Sequence, residues 1–236
     1  NDILKNQIRK VDNTIKETAE MSMSSGLFFE SDVVKEKLKK CIRNKRKITL
    51  VRKKKANKDL LKIGLFIIFD GLVSHEVISA TQPTISSLRQ APTSRIIDFL
   101  KVEWGKITDK NYHAIFDLAK TVCLSFPTSP DTDAILKKLI DIALDVVSPG
   151  ALLKHDLMGR IYHKLLLKTT GKYYATYYTS IPAAWILSNL TINTPSPDLN
   201  WDFESLENIK GFKDLDPACG SGTLLSGIYM ALKDKY

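Results

Sequence analysis

Residues 212–225 read FKDLDPACGSGTLL, and this stretch indicates more about the fold than any other. Its pattern predicts a short strand from Phe212 to Asp216, a tight turn up to Gly222, and a helix from Thr223 to Lys235. Glycines let a ligand approach the backbone of the turn, and the helix start offers it free N–H groups. A strand, a glycine turn and a helix in this order indicate the opening of an α/β domain.

Two common nucleotide sites do not fit this turn. A dinucleotide fingerprint needs a third glycine, but Leu225 stands where the spacing from Gly220 and Gly222 requires it. The phosphate loop G-x-x-x-x-G-K-[S/T] occurs nowhere in the sequence, so triphosphate binding has no support. The turn suits a ligand that combines a nucleoside with a charged tail.

Three segments resemble motifs of one family, and they follow one another along the chain in the order found in that family. Residues 216–223, DPACGSGT, resemble the cofactor motif of the S-adenosylmethionine-dependent adenine-N6 DNA methyltransferases of restriction-modification systems. Residues 175–182, ATYYTSIP, resemble the tyrosine-threonine motif of that family, with Ser180 where proline is usual. Residues 156–166, DLMGRIYHKLL, are similar to the last helix of the helical domain in type I modification subunits and fused restriction-methylation enzymes, with His163 replacing the common Glu.

The resemblance implies a site for S-adenosyl-L-methionine. Asp216 would accept a hydrogen bond from the ammonium group of the cofactor, while Tyr178 and Thr179 would supply a wall and a hydroxyl for its methionine part. Cys219 would be a small buried filler and not a nucleophile. The alternatives are Asp216 as a cap of the turn and the tyrosine cluster as buried packing. The rest of the turn would lie against the cofactor through Pro217, Ala218, Gly220 and Gly222.

The resemblance also indicates what the chain lacks. In the family, an Asn/Asp-Pro-Pro-aromatic segment holds the flipped adenine, and an acidic residue after the second strand binds the ribose. No Pro-Pro pair occurs here, so we name no catalytic residue. Because the chain also begins at Asn1 without an initiator methionine, we expect a truncated N-terminal part of the enzyme that is inactive by itself.

Before residue 169 the apolar periodicity is helical, and we predict a mainly α protein. A basic helical segment covers 1–58, a helical domain covers 59–168, and the incomplete, Rossmann-like methyltransferase domain covers 169–236. Helices are predicted near the N-terminus, after a cap at Ser31-Asp32, over 59–79, after a cap at Thr108-Asp109, after Pro130, over 151–168, and over 183–190. Between residues 79 and 108, breaks at Gln82-Pro83, Ala91-Pro92-Thr93 and Gly105 separate shorter pieces.

Several of these helices carry a clear inward-facing stripe. The apolar residues expected to face the core are Leu4, Ile8, Val11, Ile15, Val34, Leu38, Cys41, Ile42, Tyr112, Ile115, Phe116, Ala119, Val122, Ile135, Leu136, Leu139, Ile142, Ala143 and Val146. Residues 48–51 form either a short strand or an apolar anchor within the basic run.

The net charge of +9 is confined to the first quarter of the chain. Residues 1–60 hold 17 Lys or Arg against 8 Asp or Glu, whereas residues 61–236 hold 18 of each. We therefore expect DNA as a partner, with Lys35 to Lys58 on its phosphates; the alternative is a solvated lysine-rich face. A specificity subunit or fused specificity domain is a second partner that the resemblance implies.

Other classes of site are not supported. The three cysteines are far apart, and Ser79 stands where the zinc motif begun by His75-Glu76 needs its second histidine, so we expect no metal. No Asp or Glu lies two positions before a lysine, which argues against a nuclease. The apolar run 63–69 is too short to cross a bilayer and no signal peptide is present, so we expect a cytoplasmic protein without a membrane partner.

Two other functions remain open from the sequence. The first is an RNA guanine-N2 methyltransferase, because a similar glycine motif with Thr-Leu-Leu occurs there, although the tyrosine-threonine segment before the motif argues against it. The second is a non-catalytic helical module that binds nucleic acid or docks a subunit.

Overall fold

The structure is a computed structural model that describes residues 2–27, 32, 36, 53–147, 179–193, 205–217, 219 and 222–235. The chain is mainly α-helical, and within these ranges no residue belongs to a β-strand. It divides into two compact units, Asn1–Gly150 and Ala151–Tyr236. The first contains α1 (Asp2–Ser24), α2 (Lys53–Ser79), a 3-10 helix (Leu88–Gln90), α3 (Ile96–Thr108), α4 (His113–Cys123) and α5 (Pro130–Val147); the second contains α6 (Ile181–Asn193), α7 (Leu206–Gly211) and α8 (Thr223–Lys233).

Helix α2 is the centre of the first unit because it is apolar over most of its circumference. Leu61, Leu65, Ile68, Phe69 and Leu72 are fully buried. A helix with apolar residues on several sides needs partners on each of them. Accordingly α2 packs against α1, α4, α5 and the 3-10 helix.

Helix α1 lies against α2 and α5 through one buried stripe, formed by Val11, Ile15 and Ala19. Its direction follows from two ion pairs to α5. Lys10 Nζ lies 2.8 Å from Asp145 Oδ2, and Lys138 Nζ lies 2.6 Å from Glu17 Oε1. The pairs join the early part of α1 to the late part of α5 and the reverse, so the two helices run antiparallel. Exposed pairs of this kind contribute little to stability, and the buried stripe supplies most of the contact energy.

Helices α2 and α4 cross at a glycine. A Cβ atom added to Gly71 would lie 2.8 Å from Cβ of Ala119 in α4 and 3.4 Å from Cζ2 of Trp104 in α3. Trp104 packs edge-on against Phe116, with ring centroids 5.8 Å apart. The absence of a side chain at Gly71 therefore lets three helices meet around one fully buried indole.

Helix α3 begins with a cap that another helix supplies. Arg95 precedes the helix with φ +57° and ψ +39°, a left-handed conformation that is costly for a residue with a Cβ. The carboxylate of Asp133, in the first turn of α5, accepts hydrogen bonds from the N–H groups of Arg95 at 2.8 Å and Ile96 at 2.9 Å. These two bonds satisfy backbone donors at the helix start and offset the strain at Arg95.

The expectation of a mainly α protein is confirmed. Helices cover the predicted ranges near the N-terminus, over 59–79, after Pro130, over 183–190 and from Thr223, the last ending at Lys233. The predicted core positions that are buried are Val11, Ile15, Phe116, Ala119, Val122, Ile135, Leu136, Leu139, Ile142, Ala143 and Val146.

Three expectations are wrong. Thr108 and Asp109 end α3 instead of capping α4, which begins after Tyr112, and the Thr108 hydroxyl donates back to the carbonyls of Trp104 and Gly105. Tyr112 and Ile115 are exposed and not core residues, because Tyr112 precedes the helix and Ile115 lies on its outer face. Residues 212–216 form neither helix nor strand: a strand requires a paired neighbour, and the described ranges contain none.

Several expectations fall on residues outside the described ranges. These are the helix after Ser31, the segment 48–51, the end of α5 at 148–150, the helix over 151–168 and the tyrosine cluster at 173–178. The three-segment division with bounds at 58 and 168 stays a prediction for the same reason. Residues 58 and 59 themselves lie within α2.

We expect Gly71→Ala to destabilise the protein by about 1–2 kcal/mol, because overpacking at 2.8 Å outweighs the gain in helix propensity. Gly105→Ala in α3 is the matched control, since its Cβ would meet only Lys120 Nζ, at 3.9 Å. It should leave stability unchanged or raise it by up to about 1 kcal/mol. Urea unfolding followed by circular dichroism measures both variants. Equal effects of the two substitutions would contradict the proposed crossing.

Candidate functional site

The turn before α8 is built around Gly222. Its φ of +78° and ψ of +20° lie in the left-handed region that glycine adopts without strain. The Gly222 N–H donates to the carbonyl of Cys219 at 2.6 Å, and the Gly222 carbonyl accepts from the Ser226 N–H at 2.8 Å. A Cβ on Gly222 would meet no atom within 4 Å. Glycine is therefore required here by its backbone conformation and not by crowding.

Helix α8 starts without a side-chain cap, because its capping residue is glycine. The first N–H groups of such a helix have no acceptor within the helix, and the macrodipole gives them partial positive charge. A polar or anionic group of a ligand is a suitable acceptor for them. The sequence predicted both the turn and this helix start.

The residues leading into the turn lie partly at the surface. Asp216 is half-buried, whereas Pro217 and Cys219 are exposed. The expectation from the resemblance that Cys219 is a buried filler is therefore wrong, because this side chain lies at the surface. Tyr178, Ala218 and Gly220 lie outside the described residues, so their predicted roles stay predictions.

Helices α6 and α8 pack closely through small residues. A Cβ on Gly227 would lie 2.9 Å from both the carbonyl carbon and the carbonyl oxygen of Ala184, and 3.0 Å from Ser188 Oγ. The Ser188 hydroxyl donates to the Ala184 carbonyl at 2.7 Å, so it stays bonded inside the contact. Buried residues at intervals of four line both helices: Ala184, Ser188 and Ile192 on α6, and Thr223, Gly227 and Ala231 on α8.

Thr179 and Gly222 each lie just before one of these two helices. Thr179 is exposed and precedes α6 by two residues, and Gly222 directly precedes α8. The helices also share a polar contact, because Trp185 of α6 donates from Nε1 to Oδ2 of Asp234, immediately after α8, at 3.4 Å. The role predicted for Thr179 in binding a ligand stays a prediction.

Other chemically capable side chains in the described part form no second site. Burial raises the pKa of the Cys123 thiol to about 12, which makes it a poor nucleophile. His113 contacts only Asp117, at 3.3 Å, on the exposed surface of α4. Within the described ranges no group of three or more His, Cys, Asp or Glu side chains converges as a metal ion would require.

Sequence reasoning missed the role of Gly227. The sequence does carry a signal for this role, because small residues recur at an interval of four in α6 and in α8. That pattern shows which faces pack tightly, but it does not show which helix each face meets.

The chain matches no protein-family model, no curated protein and no solved structure. Among the helices that the structure describes, none combines the length and apolar character needed to cross a bilayer. The residues and their geometry are therefore the basis for any assignment of function.

We expect Gly222→Val to weaken the first turn of α8 by about 1–2 kcal/mol, because valine is strained at a φ of +78°. Gly222→Asn is the matched variant, since asparagine tolerates this region better, and it should cost less than half as much. Amide hydrogen exchange over residues 223–228 measures the local effect. If Gly222→Val and Gly222→Asn destabilise the first turn equally, the left-handed backbone conformation is not what requires glycine at this position.

Proposed function

We propose that the chain supplies the cofactor-side part of a DNA methyltransferase that transfers a methyl group from S-adenosyl-L-methionine to N6 of adenine in a restriction-modification system. The observation that carries the proposal is that the sequence DPACGSG of residues 216–222 ends in a left-handed glycine, Gly222, at a helix start without a side-chain cap. The Rossmann-like α/β fold and a cytoplasmic site of action belong to the same proposal.

Part of this proposal is supported by the structure and part by the resemblance. The space beside Gly222 leaves its backbone open to a ligand, and the carboxylate of Asp216, six residues earlier, is half-buried. These features support binding of a nucleoside that carries an ammonium group. A contact of Tyr178 and Thr179 with the methionine part rests on the resemblance alone.

When bound, the cofactor supplies an electrophilic methyl group on a sulfonium ion. The work of this chain is to hold and orient it. Asp216 would accept from the ammonium group, and the first N–H groups of α8 would donate to acceptors of the ligand. The residues that hold the target adenine are not in this sequence, because it contains no Asn/Asp-Pro-Pro-aromatic segment.

The second candidate is a helical module that binds nucleic acid or docks a specificity subunit. It is favoured by the first unit, which has its own buried core around α2. It is favoured also by the lack of a strand in the described ranges. The two candidates differ in whether the turn 216–222 binds a ligand.

We expect S-adenosyl-L-methionine at millimolar concentration to shift the backbone NMR signals of Asp216, Cys219 and Gly222–Leu224 in the 236-residue chain. Binding should be weak and methyl transfer to DNA absent, since the residues for the target base are not in the sequence. Asp216→Asn should weaken binding about tenfold through loss of one charge-assisted hydrogen bond, worth about 1.5 kcal/mol.

Adenosine is the matched ligand control for this experiment, because it lacks the ammonium group. Its weaker binding should not change in Asp216→Asn. Signal changes elsewhere, or none with either ligand, would contradict a cofactor site at the turn. Strong methyl transfer by the chain itself would show that the residues for the target base are present after all.

If the basic first quarter contacts DNA phosphates, neutralising Lys53, Lys54 and Lys55 to Gln should reduce the slope of log affinity against log salt by about 2–3. Fluorescence anisotropy with a duplex at several salt concentrations measures this slope. The control variant changes three exposed lysines to Gln in residues 61–236, where acidic and basic residues are equal in number. It has the same net charge as the first variant, and its three positions are Lys101, Lys110 and Lys213. An equal or absent change in the two triple variants would leave the basic run as a solvated face.

A further inference from the structure

The segment between α2 and α3 is held in place by side chains from both helices. The Ser86 N–H donates to Glu103 Oε2 at 2.8 Å, and the Ser86 carbonyl lies 2.8 Å from Nε2 of His75. The next two residues bond to Glu76, whose carboxylate accepts from the Ser87 hydroxyl and from the Leu88 N–H, both at 2.9 Å. Three ionisable side chains thus bind three consecutive residues, through the backbone at Ser86 and Leu88 and through the hydroxyl of Ser87.

The bonds around His75 determine its protonation state. The indole Nε1–H of Trp104 can only donate, and it lies 3.1 Å from His75 Nδ1. Nδ1 must therefore accept, which leaves Nε2 to carry the proton and to donate to the Ser86 carbonyl. His75 is fully buried, so both bonds form away from water. In this arrangement the imidazole is neutral and is fixed in the tautomer that carries its proton on Nε2.

A second proton on His75 is incompatible with this arrangement. It would place an N–H at Nδ1 directly against the N–H of Trp104, so the bond between the rings would break. Burial lowers the pKa of His75, and this effect exceeds the opposing effects of the Ser86 carbonyl, Glu103 and Glu76. The ring of Phe99 stacks on the imidazole with centroids 6.3 Å apart, which adds an apolar neighbour.

Two carboxylates face His75, and each has a cationic side chain beside it. Burial acts to raise the pKa of Glu103, but Lys106 Nζ at 2.6 Å and the Ser86 N–H bring it below its usual value. Glu76 lies 3.9 Å from Arg89 Nε. A protonated His75 would be attracted by these two carboxylates and by the Ser86 carbonyl, so burial and the opposed N–H groups of His75 and Trp104 are what favour its leaving the closed form.

We propose that His75 is an acid-sensitive switch. Its protonation releases residues 82–91 from α2 and α3 while these two helices stay packed. Release would expose Ile85 and Leu88, which are buried in the closed form. The acid-open form would therefore present new apolar surface between two helices.

The sign of the pH dependence follows from the lowered pKa. A proton binds more tightly to the open form, where His75 is solvated, than to the closed form. The closed form therefore has its full stability above the ordinary histidine value of 6.5 and loses stability as pH falls below it.

The experiment follows the Ser86 and Leu88 amides and the Trp104 indole N–H by NMR in the 236-residue chain between pH 7.5 and 5. After correction for intrinsic rates, exchange of the two amides should rise at least about tenfold at the acidic end, because the open form binds the proton more tightly. The indole signal should move with the same midpoint. In contrast, exchange in the middle of α5 should stay unchanged.

Two variants separate the switch from a merely structural role. His75→Gln keeps an acceptor and a donor but does not titrate, so amide exchange should become independent of pH. Trp104→Phe removes the opposing donor, so the His75 pKa should rise and the transition should move to higher pH. A pH dependence that persists in His75→Gln, or acid opening of α5 together with the segment, would overturn the proposal. An unchanged midpoint in Trp104→Phe would overturn it as well.

Discussion

The first unit depends on enclosing α2. A helix of 27 residues with buried side chains over most of its circumference cannot be stable at a surface, because each large apolar side chain left in water forfeits about 1.5–3 kcal/mol. Helices α1, α4 and α5 provide the enclosure. Close approach requires a position without a side chain, and Gly71 provides it where α2 meets Ala119 and Trp104.

Enclosure also buries polar groups, and leaving one of them without a hydrogen bond is costly. An unsatisfied buried donor or acceptor costs about 1–3 kcal/mol, comparable to the burial of a whole side chain. The buried side chains of His75 and Glu103 are bonded to backbone of the segment that connects α2 and α3. This connection is thus ordered by side chains of the helices it joins. Under the proposal above, its order depends on the protonation of His75.

The part of the fold that follows from local pattern was predictable from the sequence. Helix α5 has apolar residues at regular helical spacing after Pro130, and α2 has a long apolar run, so both were predicted. Helix α3 was not, since Pro92 and Gly105 suggested breaks. Its start is capped by Asp133, 37 residues away from Ile96, and a cap from another helix leaves no signal in the local sequence. Residues 212–216 show the converse, because their local pattern suits a strand but a strand exists only with a partner.

The candidate site likewise has one part that local sequence predicts and another that depends on contacts between distant residues. The turn at Gly222 is local, so a glycine at the start of a predicted helix was sufficient to predict it. The packing of α6 against α8 is not local, because Gly227 meets Ala184 and Ser188 in a helix distant in sequence, and no motif encodes that contact. Helix α6 still exposes Trp185, Ile186, Leu187 and Leu190 on the sides away from this contact. Like α2, a helix that is apolar on several sides needs more than one partner, and within the described ranges α8 covers one side of α6.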